Sequence, residues 1–137
     1  MPLRTGVHSS SGNANGLATA SVVAGNSVNL GDNNRQKVQE LSALVTALAE
    51  TSTFTWSVKL QCSNDASTWY DLANGSQNAA AVALATGTGG ADTAVTKVFT
   101  FPASVYGWKY ARVALVTGGT TGATADTYSF SYTYRAV

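Results

Sequence analysis

The chain has 137 residues and 14.1 kDa, enough for one compact domain. Ala, Thr, Ser and Gly (22, 18, 14 and 13) supply 67 of those residues, and charged residues only 11%, against ~25% in an average soluble domain. Eight Lys and Arg against seven Asp and Glu leave a net charge of +1, which argues against a nucleic-acid partner and against an anionic membrane surface.

Residues 1–16, MPLRTGVHSSSGNANG, lack periodicity and hold little apolar surface. They are expected to form an extended polar N-terminal arm that orders only against a neighbour, leaving residues 17–137 as the folded domain. No apolar stretch of a secretory signal stands among them. Residues 17–24 and 27–30 flank Gly25-Asn26, a two-residue spacing that predicts a hairpin. Residues 35–50 read two ways. Val38, Leu41, Val45 and Leu48 fall at helical spacing, whereas Leu41, Ala43, Val45, Ala47 and Ala49 form a face at period two. Because the surrounding elements are strands, a strand over about 40–49 is the reading adopted.

The clearest strand covers residues 54–63. Phe54, Trp56, Val58, Leu60 and Cys62 alternate with polar residues, one face buried and one wet. A short strand over 67–72 follows the turn residues Ser63, Asn64, Asp65 and Ala66. Residues 80–86 are Ala-rich and weak in β-propensity. Residues 95–101 form a β-branched and aromatic run stopped by Pro102. Residues 108–117 are bounded by Gly107 and by Gly118-Gly119. The last strand again alternates, with Tyr128, Phe130, Tyr132 and Tyr134 sharing a face. Such a series of short strands and turns describes an all-β antiparallel sandwich, with the jelly roll as the expected wiring.

The chemistry on offer is sparse. His8 is the only histidine and Cys62 the only cysteine, so no internal disulfide or Cys-rich zinc site can form. No G-x-S-x-G elbow or phosphate-binding glycine loop is present. The carboxylates Asp32, Glu40, Glu50, Asp65, Asp71, Asp92 and Asp126 show no paired catalytic spacing. Asn64 and Asp65 are read as turn-formers and not as cation ligands. No catalytic residue, metal or cofactor is expected. Trp56 reads as core. Trp69, Tyr70, Trp108 and Tyr110 sit near strand ends, where aromatic pairs pack the rim of a core or stack on a sugar or protein partner.

Residues 44–72, LVTALAETSTFTWSVKLQCSNDASTWYDL, hold the most specific pattern. A long strand and a turn are followed by Leu60, Gln61, Ser63, Asn64, Asp65, Ser67, Trp69, Asp71 and Leu72, spelling L-Q-x-S-N-D-x-S-x-W-x-D-L. Tyr110-Ala111-Arg112-Val113, a glycine-rich loop and a Thr/Tyr-alternating last strand come after it. In these features the chain resembles the jelly-roll cement or decoration proteins of tailed-bacteriophage capsids. The resemblance implies a non-enzymatic virion structural protein on the capsid surface, made in the host cytoplasm. Its partners would be the major capsid protein and other copies of itself, as dimer or trimer. Arg4 and His8 of the arm, with Trp69, Tyr70, Trp108 and Tyr110, are the candidate partner contacts. The alternative is a carbohydrate- or receptor-binding sandwich module, such as a tail component, using those four aromatics as its platform.

Overall fold

The computed structural model describes residues 7–31, 38–72 and 81–136. Its strands are β1 (Val7–Asn13), β2 (Val22–Val23), β3 (Val28–Asn29), β4 (Val38–Leu48), β5 (Thr55–Ser63), β6 (Tyr70–Asp71), β7 (Val82–Thr86), β8 (Val95–Thr100), β9 (Tyr110–Gly118) and β10 (Thr127–Ala136). One 3₁₀ turn, Ala103–Gly107, follows Pro102. All pairings are antiparallel. Sheet A runs β1-β10-β4-β8, and sheet B runs β2-β9-β5-β6, with β3 also on β9 and β7 also on β5. If β2 with β3, and β6 with β7, each fill one strand position, this order is that of an eight-position jelly roll.

The two sheets close on the inward residues of the alternating strands. From β5 and the residue before it come Phe54, Trp56, Val58, Leu60 and Cys62, all buried. From β10 come Phe130 and Tyr132, with Tyr128 and Tyr134 packed at the margin. The ambiguous segment is β4, a strand. Its inward Leu41, Ala43, Val45 and Ala47 are 0–1% exposed and share one core with Trp56 and Phe54. Helix propensity is overridden because β4 is the central partner of both β10 and β8. The register of β4 on β10 shifts between Tyr134 and Arg135, which skips Glu40, and Glu40 takes φ of 57° to make that bulge.

Two expectations are corrected. The sheet does not begin at residue 17, since Val7–Asn13 pair residue by residue with β10 and form an edge of sheet A. Ala14, just beyond, is fully buried, and its amide donates to the Asp126 carbonyl. Within the expected arm, then, residues 7–14 belong to the fold; residues 1–6 lie outside the described residues. A polar strand holds here because pairing uses backbone groups that every sequence carries.

The second correction concerns Gly25-Asn26. β2 and β3 do not form a hairpin with each other; both pair with β9, at Leu115–Val116 and at Tyr110–Ala111. The chain between them leaves β9 and reaches across to β1. There the Asn26 amide donates to Ser10 Oγ, and Asn26 Nδ2 donates to the Ser9 carbonyl. A side chain at residue 25 would collide with Ser10, which explains the glycine. The gap leaves the Val113 N–H without a strand partner, and it donates instead to the Tyr132 hydroxyl at 2.7 Å. That hydroxyl donates onward to the Asn26 carbonyl at 2.9 Å, so one tyrosine of sheet A closes the interruption in sheet B. Burial pushes the Tyr132 phenol above its ordinary range, keeping it neutral.

The β9–β10 connection carries a testable glycine. Gly119 has φ of 80°, and a Cβ there would run into the Thr53 carbonyl. Gly119→Ala is therefore expected to cost roughly 1–3 kcal/mol. Gly107→Ala, with open space around its Cβ, should be near neutral. Urea midpoints of the two variants measure the contrast, and equal midpoints would contradict it.

Candidate functional site

The signature stretch folds as a corner between β5 and β6. Ser63 ends β5, buried, and its hydroxyl accepts from the amides of Asp65 and Ala66 at 3.2 and 3.0 Å. Asp65 Oδ1 then accepts from the amides of Ser67 and Thr68, each at 2.8 Å, and from the Ser63 hydroxyl at 3.0 Å. Those bonds, the Thr68 and Ser67 amides foremost, hold the Asp65 carboxyl below the usual carboxylate range. Ala66 takes φ of 59° at the apex. Asn64 extends the other way, its Oδ1 accepting from the Lys109 amide at 3.3 Å. The corner is thus braced against the entry to β9. Asn64 and Asp65 are turn-formers, as the sequence implies.

The four end-of-strand aromatics divide into two groups. Tyr70 and Trp108 meet, ring centroids 5.6 Å apart and planes tilted by 42°. They line an open pocket of about 270 Å³ together with Asn64, Asp65 and Thr68. Tyr70 is 53% exposed, and Trp108 also packs against the core. Trp69 turns away from them to lie under the Arg112 guanidinium, 4.1 Å from the ring centroid. Tyr110 is half-buried on β9, paired with Ser63 and Asn29. None of the four is fully buried, so all keep surface for a partner. His8 is placed by its backbone on β1, opposite Tyr132, and Arg4 lies outside the described residues.

Arg112 is a residue without a role in the sequence reading, and it joins a polar network on the outer face of sheet B. Its Nε donates to Gln61 Oε1 at 2.9 Å; Gln61 Nε2 donates to Asp71 Oδ1 at 2.9 Å; Lys59 pairs with Asp71 Oδ2 at 3.1 Å. Burial opposes ionisation of Asp71, but the Gln61 and Lys59 bonds outweigh it and its pKa falls. The signal for this network was outward parity: Lys59, Gln61 and Arg112 all occupy the wet face. Cys62, one position away, points inward, and burial pushes its thiol up, with Asp71 adding to the effect.

The outer face of sheet A is a different surface. Cross-strand rows read Ser9–Ser131–Leu44–Val98 and Ser11–Ser129–Thr46–Thr96. The next row adds Thr133, Ser42 and Thr100. None of these side chains carries a charge. Thr46 and Thr96 hydroxyls bond each other at 2.9 Å. Leu44 and Val98 are 45% and 66% exposed, side by side. Six serines and threonines, with Leu44 and Phe130, line a depression of about 340 Å³ here. The period-two reading of β4 already placed Leu44 outward; what it lacked was Val98 as its neighbour.

Among the described residues, no group of three His, Cys, Asp or Glu side chains is placed to hold a metal ion. Among the described residues, too, no helix is long and apolar enough to cross a membrane. No family model matches the chain, and no curated protein does. Among solved structures the chain is similar to one of infectious bursal disease virus, Gx strain, at 14% identity and a TM-score of 0.46, over 97% of this chain and 32% of that one. A structure of the Gt strain gives 13% identity and a TM-score of 0.46, over 98% and 32%. The chain thus spans about a third of the length of the chains it matches.

Proposed function

We propose that this protein is a non-enzymatic virion structural protein, a capsid cement or decoration protein that binds the outside of a phage head. The observation that carries the reading is the uncharged centre of the outer face of sheet A, with the Arg135–Glu40 ion pair only at its end. Serine and threonine hydroxyls surround the exposed Leu44 and Val98, so a protein partner can cover these central rows without stripping water from an ion. The L-Q-x-S-N-D-x-S-x-W-x-D-L resemblance supports the same assignment, because its residues form one braced corner on a jelly roll. The partner in this reading is the major capsid protein, with further copies of this chain, as dimer or trimer, completing the contact around a symmetry axis.

The test is cosedimentation with capsids stripped of the protein. Replacing Leu44 and Val98 together by Lys puts two charges where the contact must dry out. Binding is expected to fall at least tenfold, about 1.4 kcal/mol. Melting should shift little, since both side chains are exposed. A double variant that cosediments as well as wild type overturns the assignment of this face.

A further inference from the structure

We infer that the pocket between Tyr70 and Trp108 is a binding site for one ring of a neutral sugar, a function separate from capsid attachment. The two rings supply an apolar platform at a rim where Tyr70 is 53% exposed. Sugars present one face of C–H groups to such rings and an equator of hydroxyls to the polar groups around them. Here those groups are ready. Asp65 Oδ1 takes all three internal hydrogen bonds, while Oδ2 accepts none from the described residues. Asn64 uses only its carbonyl oxygen internally, leaving Nδ2 to donate. The hydroxyls of Thr68 and Tyr70 and the indole N–H of Trp108 likewise have no hydrogen-bond partner among the described residues.

Size and charge narrow the ligand. A pocket of about 270 Å³ falls below the ~300–1,000 Å³ that hold drug-sized ligands, so it takes a single ring and leaves the rest of a glycan in solvent. The Asp65 carboxylate, kept ionised by the Thr68 and Ser67 amides, repels anionic sugars and accepts from the hydroxyls of neutral ones. The corner is also rigid before binding, fixed by Ser63, Asp65 and the Asn64–Lys109 bond, so little ordering entropy opposes the ligand. It lies on the corner between β5 and β6 of sheet B, and the uncharged face lies on sheet A. One particle can therefore use the two surfaces at once.

The experiment is saturation-transfer NMR and a fluorescence titration of the full chain with glucose, galactose, mannose and N-acetylglucosamine, against N-acetylneuraminic acid. At least one neutral sugar should saturate with a Kd on the order of 1 mM, as one ring and few contacts allow. The sialic acid should bind at least tenfold more weakly. Tyr70→Ala is expected to weaken the neutral sugar at least tenfold with melting unchanged. Trp108→Phe keeps the platform but loses the N–H donor, and should weaken it by a smaller factor. No saturation by any neutral sugar at tenfold above that Kd overturns the site, as does a Tyr70→Ala variant that binds like wild type. Equal binding of the sialic acid overturns the role given to Asp65. Because cosedimentation is read separately, failure here leaves the capsid assignment standing.

Discussion

Asp126→Ala is expected to lower the stability of the domain by roughly 3–5 kcal/mol, or about 10–20 °C in melting temperature. Asp126 is fully buried, yet every hydrogen bond it needs is supplied. Its Oδ1 accepts from the amides of Glu50 and Thr51 at 2.7 and 2.9 Å. Its Oδ2 accepts from the Thr51 hydroxyl at 2.6 Å and from the Ala123 amide at 2.8 Å. One carboxylate therefore ties the β4–β5 turn to the loop before β10. Removing it leaves three backbone N–H groups without an acceptor in a place where water is excluded, which is the expensive way to lose a hydrogen bond.

The same residue sets an acid limit. Burial alone would raise its pKa, but the Thr51, Ala123 and Glu50 bonds outweigh burial and lower it. A carboxyl with a depressed folded pKa contributes its full stability above the unfolded value, about 3.9, and loses it as pH falls through the folded value. Wild-type stability should therefore decline below about pH 4, and the decline should be shallower in Asp126→Ala. Asp65 and Asp71 titrate in the same direction in both proteins, so the difference between the two curves isolates Asp126. Denaturant midpoints at pH 7 and pH 3 decide the matter. A variant with the wild-type midpoint at pH 7 would show that the brace is dispensable.

Trp56→Ala is the second large effect, about 3–5 kcal/mol. The side chain is 0% exposed at the centre of the sandwich. It packs edge-on to Phe54 at 5.1 Å and to Tyr128 at 5.5 Å, and its indole N–H donates to the Leu48 carbonyl at 3.2 Å. Phe54 directly precedes β5 of sheet B, and Tyr128 and Leu48 belong to sheet A, so the ring is a link across the interface. The inward residues of β4 in the same core include Ala43, Val45 and Ala47, short side chains with little reach into the space it leaves. Trp56→Phe should cost clearly less, because most of the volume stays and only the rim and the hydrogen bond go. Urea unfolding of both variants separates the terms; a Trp56→Ala protein that melts within a degree or two of wild type would reject the placement.

How far the fold can be read without its structure follows the range of the interactions involved. Side-chain alternation is local. The inward sets on β5 and β10 were therefore legible, as was the turn of Ser63, Asn64 and Asp65, whose hydrogen bonds span two or three residues. The strand nature of β4 was legible only by appeal to its neighbours, because its own residues favour helix. Pairing is non-local, and there the pattern was mute. Nothing in Val7–Asn13 announces a strand: its hold on β10 is made of backbone groups common to all residues.

Gly25-Asn26 has the spacing of a hairpin, but the flanking residues found a better partner in β9, and Tyr132 from the far end of the chain satisfied the amide this exposed. The candidate sites divide in the same way. Composition determined that the surface would be rich in hydroxyls and poor in charge, and alternation determined which residues face outward. That Leu44 stands beside Val98, that Tyr70 meets Trp108, and that Trp69 goes instead to Arg112 was decided by strand register and sheet order. Those depend on which distant segments bury the most surface together, a sum over the whole chain that no short window of sequence contains.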